Sequence, residues 1–398
     1  MIRKAYKYRL YPNKKQEEFF IKSFGCARFI YNWGLMRKNQ EYVGNRKNLS
    51  CFDLINELAN LKNEKTWLTD VDSQSLQMAL RNLDNAFTAF FKKKARFPRL
   101  KSKNGGDFSF QLPQRVYLKG NKIKLSKAGL VKIVIDRQFN GKLKTTTISK
   151  NLAGQFFVSL SVESNEKPIK PIVILPDITI GIDLGIKNFA TLSNGEIISN
   201  PKYLKKSLSK LKRIQRRHSK KVKGSNNREK DRIKLAKAHL KVVNQRKDFL
   251  HKLTYNLTHK NQVSTYVIED LAVNNMLRNH NLAQSISDVS WGEFRRQMEY
   301  KCLWYGKNLI VIGRFEPSSK LCSNCGTTNE NLKLSDREWI CDCGAKHDRD
   351  LLAANNVKTF GLEQYRRSYG NLNACEDDKV HSVARWSSKK QETLKSNS

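Results

Sequence analysis

Four cysteines and a handful of carboxylates are the residues whose spacing can do chemistry in this sequence. Cys322 and Cys325 form C-x-x-C, and after a gap of fifteen residues Cys341 and Cys343 form C-x-C. Two thiolate knuckles at that separation predict a closed, tetrahedral zinc ribbon, a structural rather than a catalytic site. The second knuckle is one residue short of the usual spacing, so Cys343 is the expected fourth ligand and His347 its substitute. His347-Asp348-Arg349-Asp350 comes next and leads into LLAANNV, a helix-forming run. An Asp in that place is either a helix cap and dipole partner or a residue of a site.

Two more carboxylates bear on that choice. Asp183 sits in ITIGIDLG, an alternating apolar strand, where it is otherwise a turn residue before Gly185. Glu269 and Asp270 close the apolar strand STYVIEDL, where an acidic pair is also a common strand ending. Two acids on strands with an Asp at a helix start can supply a two-magnesium centre. Such a centre holds its ions about 3.5–4 Å apart and stabilises both the attacking and the leaving oxygen of a phosphodiester.

The elements that must position these groups follow from periodicity. Residues 2–10 alternate as a strand, and Asn13 with Gln16 forms a capping box into a helix with Phe20, Phe24, Ala27 and Tyr31 on its apolar face. Further helices carry Cys51, Ile55, Leu58 and Leu61, then Leu76, Leu80, Leu83, Phe87 and Phe91. From about residue 106 the period changes to two through FSFQL, VYLKG, KIKL, LVKIVID, TTTIS and FFVSLSV, an antiparallel sheet or small barrel that the opening strand joins. Pro168, Pro171 and Pro176 mark a linker. Beyond it, a meander with a type I′ turn at Asn194-Gly195 carries Asp183, and WGEFRRQMEYKCLWYG and NLIVIGRF continue as helix and strand.

Charge names the partner class. The 398 residues hold 75 Lys+Arg against 36 Asp+Glu, a formal charge of +39, which repels itself unless a polyanion is bound. The charge is spread along the chain and no run of about 18 apolar residues exists, so nucleic acid is expected and a membrane is not. Residues 201–260 carry 21 Lys+Arg and three acids in two helical runs. A solvated helical hairpin normally mixes its signs, so this bias points to phosphate contact, with Lys205, Lys212, Arg213, Arg216 and Arg217 as candidate nucleic-acid-binding residues. The first residues lack the apolar core of a signal peptide, and a cytoplasmic location is expected. In that reducing setting the paired cysteines point to metal rather than disulfides, and Cys26, Cys51, Cys302 and Cys375 are scattered bystanders.

GIDLGIKNFA, VIEDL, SDVSWGEFRRQMEYKCLWYG, FEPSSKLCSNCG and HDRDLLAAN, in this order, resemble the TnpB (OrfB) proteins of bacterial insertion sequences, relatives of type V CRISPR effectors. RLYPNKKQ, CARFIYNWGL, SLQMALRNLDNAFTAFFKKK and FPRLKSK extend the resemblance over nearly the whole chain. It implies an RNA-guided DNA endonuclease, α+β and multidomain. An N-terminal β-barrel (1–12 and 104–166) would hold a helical insertion (13–103), joined by a linker (167–177) to an RNase H-like RuvC nuclease domain (178–315 and 348–369). A zinc ribbon (316–347) would be inserted in that domain, with a flexible tail at 370–398. Carried over residue by residue, Asp183, Glu269 and Asp350 would be the catalytic acids holding Mg²⁺. Ser73, Gln74 and Gln77 would read a short motif flanking the target. Guide RNA and double-stranded DNA would be the partners of a monomer, with sequence read by guide pairing. Two departures stand out: the shortened knuckle, and Leu352 where the family usually has Asn, a change expected to weaken cleavage. Two rival readings are a guide-dependent DNA-binding repressor that does not cut, and a transposase that joins strands.

Overall fold

The computed structural model describes residues 2–103, 106, 108–164, 166–167, 169–260, 262–333 and 336–369, and the chain divides into two compact units, 1–167 and 168–398. The expected tail at 370–398, Cys375 included, lies outside the described residues. No helix among the described residues is long and apolar enough to cross a membrane.

The first unit begins with β1 (Ile2–Tyr11) and continues through α1 (Lys14–Asn45), α2 (Cys51–Glu64) and α3 (Ser73–Phe91). Six strands follow: β2 (Phe108–Leu112), β3 (Tyr117–Lys119), β4 (Lys122–Leu125), β5 (Gly129–Val134), β6 (Lys142–Lys150) and β7 (Phe156–Ser164). They form one antiparallel sheet in the order β2-β6-β7-β1-β5-β4-β3, with β1 at its centre. The Asn13–Gln16 capping box starts α1, and the Gln16 amide also donates to the Ala128 and Leu130 carbonyls, which ties the helix start to the sheet.

Of the two expected forms, an antiparallel sheet or a small barrel, the sheet takes one in between, an open half-barrel whose edges β2 and β3 are not paired with each other among the described residues. Its concave face is already filled. Phe20 and Phe24 of α1 meet Phe110 and Phe156 at ring separations of 5.6 to 6.5 Å, so a helix covers the apolar surface that closure would otherwise bury. On α3 the buried stripe runs Leu76, Leu80, Leu83 and stops before Phe91, which is 70% exposed.

The second unit opens with β8 (Thr179–Leu184), β9 (Asn188–Leu192) and β10 (Ile197–Ser199), then α4 (Tyr203–Ser219) and α5 (Asn226–Tyr255). After β11 (Thr265–Glu269) come α6 (Val273–Met276), α7 (His280–Val289), α8 (Trp291–Tyr305) and β12 (Asn308–Ile312). A small hairpin of β13 (Glu338–Ile340) and β14 (Lys346–Asp348) precedes α9 (Arg349–Tyr369). The main sheet has the order β10-β9-β8-β11-β12, with β8, β11 and β12 parallel and the β8-β9-β10 meander antiparallel. TYVIE of β11 is apolar on both sides because the sheet is covered twice. Phe294 and Met298 of α8 pack one face with Tyr266 and Ile268, while Val357 and Leu362 of α9 pack the other with Val267 and Ile310.

Within the expected linker at 167–177, Ile174 is buried beside Val267, and the Asn308 amide donates to the Ile172 carbonyl at 2.6 Å. One expectation changes here. The β9–β10 turn is not type I′, since only Gly195 in it has a positive φ (88°). Leu192 and Glu196 close a three-residue loop ending in that left-handed glycine, the type I plus bulge alternative.

Candidate active site and metal centre

Strand pleat and register place Asp183 and Glu269 together. Parallel pairing of β8 with β11 runs to Ile182↔Ile268, and Asp183 and Glu269 are the next residues on each strand. Both follow by two the residues that face α9, Gly181 and Val267, so both lie on the side that α9 covers. The approach of α9 is close enough to require glycine. A Cβ on Gly181 would stand 2.1 Å from the Ala354 carbonyl, and one on Gly361 would stand 2.4 Å from Val267. Asp350, one turn before Ala354, is thereby brought to the carboxyl ends of the parallel strands, where open α/β sheets form their sites.

The electrostatics show the convergence. Burial pushes the Asp183 carboxyl up to about 7, the Glu269 and Asp350 charges act in the same direction, and Arg349 and Arg337 offset them only in part. Burial also raises Glu269, against which the Ser318 hydroxyl donates to its Oε1 at 2.6 Å. The neighbouring acids have other employment. Asp270 is gripped by Arg295 and by Arg314, the latter at 2.8 Å, and Asp348 accepts the Leu351 N–H at 2.8 Å as the cap of α9. Asp350 receives the Arg337 guanidinium at 3.2 Å. The three half-buried carboxylates thus feel one another's charge, with two arginines as the offsetting cations, and carboxylate oxygens are the donor type that hard divalent cations take.

The four cysteines are the tighter cluster. Among the described residues they are the group whose ligand atoms all lie within 4.8 Å of one another. Cys322 Sγ is 3.7 Å from Cys343 Sγ, and Cys325 Sγ is 3.5 Å from Cys341 Sγ. A zinc tetrahedron with bonds of about 2.3 Å has edges of about 3.8 Å, so the quartet fits that ion. The short second knuckle still delivers Cys343. His347 stands behind the cluster, its Nε2 3.1 Å from Cys322 Sγ and its ring 4.8 Å from Trp339.

Leu352 corrects an expectation. It is 4% exposed and packs with Cys322, Trp339 and Cys341, so it belongs to the apolar floor of the cysteine module and not to the carboxylates. One turn on, the Asn356 amide donates to the Ser318 and Leu321 carbonyls at 2.7 Å each. The module is fastened to α9 by an apolar and a polar contact one turn apart.

The remaining candidates are distributed as follows. Lys205, Lys212, Arg213 and Arg216 are exposed on α4. Arg217 is drawn into the α4–α5 hairpin by Asp231, which is 5% exposed, at 3.1 Å. The start of α4 is held by Asp288 of α7, whose carboxylate accepts the Leu204 N–H. In the first unit, Ser73 is exposed and accepts from Lys62 Nζ at 2.8 Å, while Gln74 and Gln77 are half-buried, the Gln74 Oε1 without a partner among the described residues.

Comparison with known proteins places this arrangement. The family profile described as Probable transposase matches residues 159–280, that of the Cas12f1-like TNB domain matches 291–357, and a Helix-turn-helix domain profile matches 1–47, where this chain has β1 and the single long α1. A Streptomyces pristinaespiralis protein named "Putative RNA-guided DNA endonuclease" is 41% identical over 370 residues, which cover 91% of this chain and 90% of its own. The chain belongs to the TnpB (OrfB) family. A second TnpB relative, the Escherichia coli K12 protein of the same description called InsQ, is 33% identical over 378 residues, 90% of this chain and 92% of its own. Among solved structures, Cas12f1 in its complex with sgRNA and target DNA shares the fold, with a TM-score of 0.55 at 14% identity over 90% of this chain and 98% of that one. The TNB match spans α8, β12, the cysteine module and the start of α9.

Ser318, Arg337 and Asn356 were not visible as site residues in the sequence. Ser318 lies within FEPSSKLCSNCG, but nothing local assigns it a partner 49 residues away. Arg337 becomes readable only once Glu338 is paired with Asp348.

Proposed function

We propose that this TnpB protein is an RNA-guided DNA endonuclease that cuts double-stranded DNA beside a short flanking motif by metal-dependent hydrolysis. The observation that carries the reading is the meeting of Asp183 and Glu269 on adjacent parallel strands with Asp350 at the start of the helix packed on them. The strand order, with an antiparallel meander leading into parallel strands, supports a RuvC-like, RNase H type of domain at 178–315 and 348–369. The half-barrel and its helices at 1–166 then serve as the guide-binding and motif-reading part, with Ser73, Gln74 and Gln77 as readers. Residues 316–347 are the zinc ribbon, with Cys322, Cys325, Cys341 and Cys343 as ligands. The relatives' names point the same way.

Mg²⁺ held by Asp183, Glu269 and Asp350 would supply Lewis-acid charge at the scissile phosphate and at the attacking water. The chain's own residues prepare that chemistry. Ser318 fixes the Glu269 carboxylate by its short hydrogen bond. Asp183, raised by burial and then by the charges of Glu269 and Asp350, gives up its proton near neutral pH, where a bound cation would offset both costs. Arg295 and Arg314 hold Asp270 out of the way. Lys205, Lys212, Arg213 and Arg216 of α4 neutralise phosphates of the bound nucleic acid. The protein acts as a monomer in the bacterial cytoplasm, on DNA addressed by a guide transcribed from its own element.

The test is co-expression with the element's downstream transcript region, sequencing of the RNA that copurifies, and challenge with matching DNA of randomised flanks plus Mg²⁺. Cutting beside one flank, lost in Asp183→Ala, is the expected result. Occupied but uncut DNA overturns the nuclease reading in favour of a repressor, and joined strands overturn it in favour of a transposase.

A further inference from the structure

The cysteine module touches the acid site at two points, and the two contacts differ in kind. Ser318, tied to α9 through Asn356, gives Glu269 a neutral donor that orients the carboxylate without competing for its charge. Arg337 gives Asp350 a full positive charge, with Nη1 at 3.2 Å from Oδ1 and 3.5 Å from Oδ2. That contact is built by the hairpin. Glu338 pairs with Asp348, and one rung further the Arg349 N–H donates to the Arg337 carbonyl at 2.8 Å. The Arg349 guanidinium donates to the Lys333 and Asp336 carbonyls and so fastens the loop that leads into Arg337. Trp339, two residues on, is 8% exposed and packs with Cys322, Cys341 and Leu352, so a folded cysteine cluster sets the hairpin register.

We propose that Arg337 is a gating residue: the cysteine-held hairpin seats its guanidinium on Asp350, and a divalent cation must displace it to gain the third carboxylate. The inference rests on the reading of Asp183, Glu269 and Asp350 as a metal site. It makes loading of the acid site responsive to the state of the ribbon. Any event that shifts the hairpin by a fraction of its contact distance, such as entry of a phosphate backbone that Arg337 can pair with instead, releases Asp350 to the cation. Nucleic acid and divalent cation then bind with positive cooperativity, each relieving the competition that the other meets.

The experiment measures Mn²⁺ binding to the zinc-loaded full chain by the paramagnetic resonance signal of the free ion, with no cleavage involved. Removing one positive charge a few ångströms from the site should tighten Mn²⁺ about three- to tenfold in Arg337→Gln, and Arg337→Lys should fall between the two because it keeps the charge and loses the planar fork. Unchanged or weaker Mn²⁺ binding in a folded Arg337→Gln overturns the gate while leaving the metal site standing. If the native chain shows no Mn²⁺ binding that Asp183→Asn and Glu269→Gln abolish, the site reading fails and the gate with it.

Discussion

The cysteine module and the acid site both pack against the same helix, α9, and are built on opposite principles. In the module four sulfurs already lie within 4.8 Å of one another, two pairs of them near the edge length of a zinc tetrahedron, over a floor of Trp339 and Leu352. At the acid site the carboxylates are held by the protein, one by a serine and one by an arginine, and burial, with the charges of Glu269 and Asp350 added to it, pushes Asp183 up to about 7. A structural site gains by closing its geometry. On the proposed reading the acid site instead stays open and holds buried carboxylates that repel one another, a cost that a bound cation would relieve.

The comparison breaks most directly in a pair of variants. Asp183→Asn removes the repelled carboxylate, so it is expected to abolish cleavage, by at least about a thousandfold, while raising the thermal midpoint of the metal-free protein. Cys322→Ser is expected to do the reverse in stability. Structural zinc contributes of order 10 kcal/mol to the fold that binds it, so the variant should lose its zinc and unfold the ribbon, with proteolysis appearing between residues 316 and 347. Equal stability changes in both would mean that the two sites are not differently built. Leu352→Asn is a smaller test of the same division. Burying an amide where Leu352 now packs should cost about 2–3 kcal/mol in denaturant unfolding and should not improve cleavage. An increase in rate at unchanged stability would return position 352 to the acids.

The raised Asp183 also fixes a pH dependence. The unfolded chain releases this proton in the ordinary carboxylate range near 4, whereas the folded chain keeps it to about 7. The folded state thus binds more protons between those values, and stability of the metal-free protein declines as pH rises through that window, then levels off above it. Divalent-cation affinity runs the other way, weakening by up to about tenfold per unit as pH falls below 7, because a proton must be displaced. Titration of Mn²⁺ binding from pH 5.5 to 8.5 checks the sign, and a flat profile would mean that Asp183 is not a ligand.

How much of this was legible in the sequence depended on the range of the interaction. Alternation locates β8 and a continuous apolar run locates β11, and cysteine spacing predicts the quartet even with its short second knuckle. What alternation leaves open is the division of labour within Glu269–Asp270 and Asp348–Asp350. For the first pair it is decided by Arg295 and Arg314, partners 25 and 44 residues away. For the second it depends on which Asp caps α9, a matter of helix start to within one residue. The choice between sheet and barrel stayed open for a related reason. Strand runs do not reveal that Phe20 and Phe24 fill the concave face and leave closure nothing to bury. Leu352 was misassigned because family correspondence supplies a position in the sequence, whereas its side chain follows the helix face, here toward Cys322.

The smallest effects belong to α4, where the same reasoning separates residues of one type. Lys212, Arg213 and Arg216 are exposed, and no acid among the described residues pairs with them, so each is available to a phosphate. Replacing any one by Ala should lower the slope of log affinity against log salt concentration by about 0.7 for a single strand or 0.9 for a duplex, with little change in stability. Arg217 looks identical in the sequence, yet its charge is committed to the buried Asp231. Arg217→Ala should therefore leave the salt slope nearly unchanged and instead destabilise the α4–α5 hairpin by about 1 kcal/mol, a modest figure because the guanidinium is half exposed and Lys234 at 3.7 Å gives Asp231 a second cation. A slope change for Arg217→Ala equal to that for Arg216→Ala would show that nucleic acid outcompetes Asp231 and that the ion pair opens on binding.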